Sequence, residues 1–450
     1  MSPQIPHATP IPHATLPESL RFSLLYSLPM IVRGAFISRP AMARWLAALD
    51  TQARAQRFCM RLRVRYGGRS VYLRGPTGKA LLVLAQDDVK RVLTAPEAEF
   101  MVATKEKRKG LATVQPDSLL LSRGELREDR RRFNEAILQP GKVPHDLGAR
   151  VRQVVTEELR DVLGNGPDIV NWERLSVPYD RAVLRLLFGD AARDDLRILA
   201  TIRALLGEAN WLGLRPWRNG IVRSRRRVLT AEIDRYVAAA AEGSLMGLFA
   251  GAYQSERTCP AGQVPHWLLA LGGIGAVLVT PALALLAGHP EHAARARAEA
   301  DADGDGLEFL SACVSETARL WPLVPTLLRH VPSDTPWHGT RLPAGTSVMI
   351  PLSLHQRNPQ IDHADAFTPD AWLDGRAAAD WWIAPFSLGP GRCPGAELGT
   401  QVLATVLATL LRQYDFTPAS PKLHPGAPLP KTLDSFSLRL RVRPRAEPAT

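Results

Sequence analysis

The chain has 450 residues, 46% of them hydrophobic, and carries a net charge of +12. The composition supplies a large core, and only 6% aromatic residues with frequent Ala, Leu and Arg favour helices over a β-sandwich. The four cysteines, Cys59, Cys259, Cys313 and Cys393, are too few for a disulfide scaffold and too far apart for a zinc knuckle. A reducing, cytoplasmic setting fits this usage.

The N-terminus holds a near-repeat, IPHATPIPHAT at 5–15, whose prolines predict a disordered tail. No basic segment precedes an apolar one, so no signal peptide is expected. The apolar stretch 22–32 is too short to span a bilayer. We expect it to form a helix packed on the protein body; lying on a membrane surface is the less favoured alternative.

A mainly helical pattern follows, with few strands. Residues 41–65 have helical spacing, 69–85 predict a hairpin, and the long loop 96–123 has the length of a functional loop. No repeat of 20–50 residues is present, which excludes a solenoid. Helices are predicted near 124–138, 146–163, 172–188, 191–207, 220–242, 264–288, 290–300 and 307–320, and strands at 341–353 and 435–444.

The most specific local pattern is APFSLGPGRCPGAELGTQ at 384–401. Its glycines let a flat partner approach the backbone, and a long apolar helix is predicted directly after Cys393. The helix N-terminus and Arg392 would both stabilise a thiolate there. A lone thiolate in such a loop suits an axial bond to haem iron, whereas the alternative is a buried structural cysteine in a turn.

Phe386, Gly389, Cys393 and Gly395 match the cysteine signature of cytochromes P450, so the chain resembles that family of haem-thiolate enzymes, in its bacterial soluble form. The resemblance spans roughly residues 45 to 445. It implies a mainly α fold with small β-sheets, and a haem-thiolate domain at 41–450 after an N-terminal tail and apolar segment at 1–40. It also implies haem b bound through Cys393.

Other segments follow in the order that the family shows. SETARLWP at 315–322 resembles its Glu-x-x-Arg helix, and the resemblance implies a buried ion pair between Glu316 and Arg319 that braces the cysteine loop. FTPDAWL at 367–373, between this helix and the cysteine loop, resembles the family's Phe-x-Pro-Glu-Arg-Trp segment. The positions of three arginines imply that they hold the haem propionates: Arg127, Arg131 and Arg329.

The stretch 268–292 resembles the long helix that crosses the haem face. Gly272 and Gly273 would leave space there for dioxygen and substrate, or would instead serve close helix packing. The acid–alcohol pair of the family is expected at 273 and 274, but these residues are Gly273 and Ile274. Neither side chain can deliver a proton.

Two further departures concern the haem surroundings. The family has a basic residue at the position of Gly391, and we expect Arg392 to compensate. The family also has arginine at the position of Ala371, so a third member of the Glu316–Arg319 network must come from elsewhere. We expect it to be His355, with Arg357 as the alternative.

The resemblance implies a monomeric monooxygenase that oxidises a small apolar molecule. No flavin or iron–sulfur module is evident in the sequence, so an external ferredoxin or flavodoxin would supply electrons, and the basic surface suits an acidic donor. Nucleic-acid and membrane partners are not expected. The missing acid–alcohol pair keeps open a peroxide-using, oxidative coupling or isomerising enzyme, and a haem sensor or nucleic-acid binder is the non-enzymatic alternative.

Overall fold

Helices dominate the structure, a computed structural model, and confirm the predicted mainly α class. The structure describes residues 10–75, 78–160, 162–163, 169–302, 304, 306–380, 382–418 and 423–445. The α-helices are Leu16–Phe22, Leu28–Arg33, Pro40–Ala48, Thr51–Arg65, Gln86–Thr94, Lys105–Leu111, Gly124–Leu138, Gly148–Leu159, Trp172–Phe188, Arg197–Ala209, Asn219–Ala239, Val264–Trp267, Val279–Gly288, Pro290–Asp301, Glu308–Leu320, Leu352–Gln356, Asp370–Leu373, Arg376–Ala379 and Ala396–Gln413.

Small sheets flank this helical body. A four-stranded sheet has the order Val71–Gly75, Gly78–Leu82, Ser347–Pro351 and Thr326–His330, and its two middle strands pair in parallel. The predicted hairpin therefore forms, although Pro76 and Thr77 of its turn lie outside the described residues. The other sheets are Ile169–Val170, Leu440–Pro444 and Tyr414–Pro418, and Thr335–Trp337 with Thr340–Leu342.

The main core surrounds the continuous helical segment Pro260–Gly288. Within the described part of the chain, this is the one helix that is long and apolar enough to cross a membrane, but most of its apolar stretch is buried inside the protein. The helices Trp172–Phe188 and Ala396–Gln413 contribute many of the side chains around it. This packing identifies it as a core helix.

The N-terminal segment differs from the expectation of a disordered tail. Residues 1–9 lie outside the described residues, but the Ala14 amide donates to the Tyr72 carbonyl at 2.8 Å, and the Tyr72 amide donates to the Pro12 carbonyl at 2.9 Å. Residues 10–15 therefore extend along the first strand of the hairpin, because prolines are compatible with an edge position in a sheet.

Other boundaries also differ from the prediction. The helical stretch 41–65 is two helices, Pro40–Ala48 and Thr51–Arg65, separated at Asp50, which has a φ of 44°. The loop 96–123 contains a short helix, Lys105–Leu111. Of the strand predicted at 435–444, only Leu440–Pro444 forms.

Candidate functional site

The loop that carries Cys393 is shaped by short backbone contacts. The Cys393 amide donates to the Phe386 carbonyl at 2.9 Å, which closes the loop just before the helix Ala396–Gln413. Gly389 has a φ of 56°, and a Cβ added there would collide with the Leu93 carbonyl. Only glycine satisfies both conditions, so this part of the signature is a backbone requirement.

The Cys393 thiol lies half-buried in this loop. Burial raises its pKa, and the Gly395 amide, which donates a hydrogen bond to the sulfur, opposes that effect. The positive charges of Arg131 and Arg392 also lower the pKa, whereas the Glu397 carboxylate raises it. The helix start and Arg392 thus act in the predicted direction, but burial outweighs them. A bound metal cation would supply the missing stabilisation of the thiolate.

Three cationic side chains converge near the cysteine loop. Arg127 pairs with Glu97 at 2.7 Å, whereas Arg329 donates to the Ser387 hydroxyl at 2.9 Å and Lys107 to the Val102 carbonyl at 2.8 Å. Burial, and then the charge of Arg127, lowers the pKa of Arg329 to about 10. Burial lowers the pKa of Lys107 well below its usual value, and Arg329 and Arg127 add to this effect.

This cation cluster provides a test of whether the site fits haem. Two of its three members have only neutral hydrogen-bond partners among the described residues, and the cluster repels itself electrostatically. Carboxylates placed against these side chains would relieve the repulsion and form charge-assisted hydrogen bonds. The two propionates of haem are such groups, so the residues present fit the predicted cofactor.

Arg329 also explains why glycine stands at position 391. A Cβ on Gly391 would collide with the Arg329 guanidinium, so the absence of a side chain there makes room for the arginine. Arg392, which we expected to compensate for Gly391, instead pairs with the Glu397 carboxylate. That expectation is corrected: the positive charge beside Gly391 comes from a neighbouring strand, Thr326–His330.

Arg127 and Arg131 connect the helix Gly124–Leu138 to the cysteine loop. Arg127 donates to the Pro390 carbonyl at 2.9 Å, and Arg131 donates to the Arg392 carbonyl at 2.8 Å. Arg131 also pairs with Glu135 at 2.5 Å. Both arginines therefore hold the cysteine loop through its backbone carbonyls. Their contact with haem propionates stays a prediction.

The predicted Glu316–Arg319 ion pair is present and fully buried. Two nitrogens of Arg319 meet the two Glu316 oxygens, each at 2.7 Å. Arg319 also donates to four backbone carbonyls, those of Gln356, His363, Ala364 and Ala366. A buried charge pair is tolerated only when its remaining hydrogen-bonding capacity is used in this way. The pair anchors residues 356–366, a loop that leads towards the cysteine loop.

The third member of this network is Trp372, and the expectation of His355 is wrong. The Trp372 indole N–H donates to Glu316 at 3.0 Å. His355 is buried elsewhere, with Nε2 3.0 Å from the Val83 carbonyl, and burial lowers its pKa to about 4. The alternative, Arg357, pairs with Asp365 instead. The sequence contains a pattern that could have identified Trp372 as a partner of Glu316: Trp372 directly follows Ala371, the position where the family has arginine.

The predicted helix at 264–288 is irregular in the middle. It begins as an α-helix at Val264–Trp267, widens to a π-helix at Leu268–Ile274, tightens to a 3-10 helix at Gly275–Leu278, and ends as an α-helix at Val279–Gly288. Gly272, Gly273 and Ile274 lie in the widened part; the Ile274 side chain lies outside the described part of the structure. Such changes of helix type leave backbone groups without their regular partners.

Side chains from two neighbouring helices satisfy these groups. The Tyr179 hydroxyl donates to the Leu271 carbonyl at 3.0 Å, and Arg203 donates to the Gly272 carbonyl at 2.7 Å. Arg203 also makes two hydrogen bonds of 2.6 Å to the carboxylate of Asp180, which is buried. We call Asp180 and Arg203 the helix clamp. Nothing in the local sequence marks them, because their roles depend on helices that meet only in the folded chain.

A cavity of about 400 Å³ borders the widened part of the helix. Gly272 and Gly273 line it, together with Phe36, Leu323 and Phe436 from other parts of the chain. Its size and mostly apolar lining suit a small organic molecule. This position supports the prediction that the two glycines leave space beside the helix. A Cβ on Gly272 would also collide with the Leu199 side chain of the helix Arg197–Ala209, so the alternative of close helix packing holds at that glycine as well.

Removing one member of the helix clamp should destabilise the fold. Arg203→Met leaves the Asp180 carboxylate buried without its partner and the Gly272 carbonyl without its donor, so we expect a loss of about 1–3 kcal/mol in unfolding free energy. Denaturant unfolding of the holoprotein measures this. Arg376→Met, which removes an exposed arginine paired with the exposed Asp374, is the control and should leave the midpoint unchanged. Equal midpoints for both variants would contradict the role of the clamp.

Comparisons with known proteins agree with this architecture. The cytochrome P450 family profile matches residues 276–433. A crystal structure of a cytochrome P450 (CYP102L1) superimposes with a TM-score of 0.68 at 18% identity, over 87% of this chain and 94% of that one. The fold is therefore that of the cytochromes P450.

Curated relatives match part of the chain at moderate identity. A methyltetrahydroprotoberberine 14-monooxygenase from Papaver somniferum is 30% identical over 32% of this chain and 31% of its own length. A sugiol synthase from Salvia miltiorrhiza is 36% identical over 32% and 30%, and a probable cytochrome P450 4s3 from Drosophila melanogaster is 33% identical over 38% and 35%. The matches span about a third of the length of these relatives. Residues 276–433 thus match the cytochrome P450 family, and the chain has the fold of its members.

Proposed function

We propose that this chain is a haem-thiolate monooxygenase that oxidises a small, largely apolar molecule with O2 and electrons from an external donor. The observation that carries the proposal is the half-buried Cys393 in its glycine-shaped loop beside the cation cluster of Arg127, Arg329 and Lys107. Relatives with monooxygenase and synthase names support it. Haem b is the proposed form, because the dispersed cysteines contain no pair for covalent attachment.

Separate residues of the chain would bind the haem and the substrate. Cys393 would bind the haem iron through its thiolate, and Arg127 and Arg329 would hold the propionates. Bound haem supplies the redox chemistry that activates oxygen. Gly272 and Gly273 would border the space for the substrate beside the widened helix, and the mostly apolar lining of that cavity suits an apolar molecule.

The proton supply is unusual in this chain. Gly273 and Ile274 stand where the family has its acid–alcohol pair, and neither offers a proton. The nearest hydroxyl further along the helix, that of Thr280, donates to the Ser435 carbonyl at 3.2 Å and is buried. Protons would then come from water or from the substrate. This departure favours a second candidate: a haem-thiolate enzyme that uses peroxide, couples substrates oxidatively or isomerises them.

The remaining partner proposals follow from charge and redox state. The net charge of +12 would attract an acidic ferredoxin or flavodoxin with its reductase. All four cysteines are free, which suits a reducing cytoplasm. A monomer without nucleic-acid partners is the proposed working form.

A comparison of oxidants separates the two candidates. The holoprotein is incubated with a panel of small apolar molecules, either with NADPH, ferredoxin and reductase or with hydrogen peroxide alone, and products are identified by mass spectrometry. A monooxygenase should add one oxygen atom in the reductase system even when catalase removes free peroxide. Products only with peroxide, or products without added oxygen, would overturn the first candidate in favour of the second.

A further inference from the structure

An arginine without a partner lies in the wall of the cavity. The apolar stretch 22–32 packs on the protein body through the buried side chains of Phe22 and Tyr26, in agreement with the prediction, and the next residue, Arg33, lines the cavity. The Arg33 Nε is buried, and the described part of the chain offers its guanidinium neither a hydrogen bond nor an ion pair. A buried charge is tolerated only when a counter-charge or a ligand compensates it.

Two further charged residues, Glu173 and Arg203, belong to the described lining of this cavity. Arg203 is neutralised by Asp180 in the helix clamp. Glu173 is exposed in the first turn of the helix Trp172–Phe188, where its carboxylate complements the positive end of the helix. Within this described lining, the charge of Arg33 is therefore the positive charge that no carboxylate at hydrogen-bond distance balances.

Asp434 is the carboxylate whose charge acts on Arg33, but the two side chains do not form an ion pair. The Asp434 Oδ1 accepts from the Phe436 amide at 3.1 Å, and its Oδ2 lies 3.7 Å from Nε of Arg44, an arginine that is mostly exposed. Burial lowers the pKa of Arg33, and Asp434 opposes that effect from beyond ion-pair distance. Arginine stays protonated in proteins, so Arg33 keeps its charge in the cavity wall.

The backbone that carries Arg33 is held in place from both sides. The Arg39 amide donates to the Arg33 carbonyl at 2.7 Å, and Asn210 donates to the Ile37 carbonyl at 2.8 Å. Between these contacts, Gly34 has a φ of 113°, and a Cβ there would collide with the Ile37 carbonyl. Glycine is therefore required directly after Arg33. A fixed backbone reduces the ordering cost when a ligand binds to the arginine.

The cavity is polar at the end where Arg33 lies. A smaller cavity of about 50 Å³ adjoins the larger one there, and the residues that line both include Arg33 and three neutral polar residues, Ser38, Gln52 and Thr432. The two glycines of the widened helix line only the larger cavity. A molecule held at Arg33 would therefore have its polar end there, and its apolar part would extend along the cavity towards the widened helix.

We propose that Arg33 binds a carboxylate group of the substrate, and that the substrates of this chain are small apolar monocarboxylates. The planar guanidinium matches a carboxylate through two parallel charge-assisted hydrogen bonds. One unbalanced positive charge suits a monoanion better than a phosphate group, which carries up to two negative charges. That such a molecule is also oxidised rests on the proposed monooxygenase function, whereas binding of the carboxylate at Arg33 does not.

Calorimetric titration of the holoprotein tests the proposal without any turnover. The probes are octanoate and octanamide, which have the same chain length and differ in charge. We expect octanoate to bind about ten-fold or more tightly than octanamide, because its carboxylate forms charge-assisted hydrogen bonds with Arg33. Arg33→Met should remove this preference and leave the affinity for octanamide nearly unchanged. Arg33→Lys keeps the charge but loses the planar fork, so it should keep part of the preference.

Arg44→Met is the matched control, because Arg44 lies beside the same Asp434 but is mostly exposed and outside the described cavity lining. It should keep the preference of the parent protein, and circular dichroism verifies that every variant is folded. The proposal would be overturned if the parent protein bound both probes equally or did not bind octanoate, or if Arg33→Met kept the preference. Loss of the preference in Arg44→Met as well would assign it to the charge of the region and not to Arg33. A failure of the monooxygenase function would show separately, in the comparison of oxidants.

Discussion

Cys393→Ala is expected to eliminate the thiolate-type Soret band of the reduced, CO-treated holoprotein and all turnover with it. The physical reason is that the described residues around the loop offer no second thiol: Cys59 and Cys313 are buried elsewhere, and Cys259 is exposed. Absorption spectra of protein reconstituted with haem measure the effect. The substitution removes one sulfur from a loop whose backbone contacts remain, so the fold itself should survive.

Cys259→Ala is the matched control for this experiment, because it removes an exposed cysteine at a distant position in the chain. It should retain the parent spectrum. A thiolate-type band that survives in Cys393→Ala would refute the ligand assignment, and its loss in both variants would point to general damage rather than to the ligand.

The second large effect is expected at the buried ion pair. Arg319→Met leaves the Glu316 carboxylate buried with the Thr368 amide and the Trp372 indole as its remaining donors, so the unfolding free energy should fall by about 3–5 kcal/mol. Denaturant unfolding and haem retention of the holoprotein measure the loss. Glu316→Gln keeps the shape of the side chain and provides a milder variant if Arg319→Met does not fold.

An exposed ion pair on a neighbouring helix serves as the comparison. Arg295 and Asp370 lie 2.5 Å apart, with about half of each side chain exposed. Arg295→Met should cost less than about 1 kcal/mol, because solvent screens such pairs. If the Arg319 and Arg295 substitutions had similar effects, the bracing role of the buried pair would be disproved.

Short-range patterns predicted the parts of the site that depend on neighbours in sequence. The glycines around Cys393 are required by the local backbone conformation. The spacing of Glu316 and Arg319 places them one helical turn apart. Both features depend only on residues close in sequence, so the sequence alone predicts them. The bounds of Gly124–Leu138 and Trp172–Phe188 follow from the same helical periodicity.

Other features depend on partners that are distant in sequence. The widened helix at Leu268–Ile274 is held by Tyr179 and Arg203, and no pattern within the helix reveals them. His355 was a plausible partner for Glu316 by chemistry, but the Val83 carbonyl lies closer in the fold. Residues 10–15 likewise adopt an ordered, extended conformation because they lie along the edge of the hairpin strand that contains Tyr72, and this edge exists only in the folded chain.

The exchange at position 391 has a consequence for engineering. In this chain the charge beside Gly391 is carried by Arg329, on a strand of the four-stranded sheet, so position 391 itself has no room for a second cation. Placing arginine at Gly391 would bring the loop closer to the family consensus, yet it would push against Arg329 and add to a cluster that already repels itself. Restoring the family consensus at position 391 alone is therefore not expected to improve haem binding. The strand that carries Arg329 and the cysteine loop would have to be redesigned together.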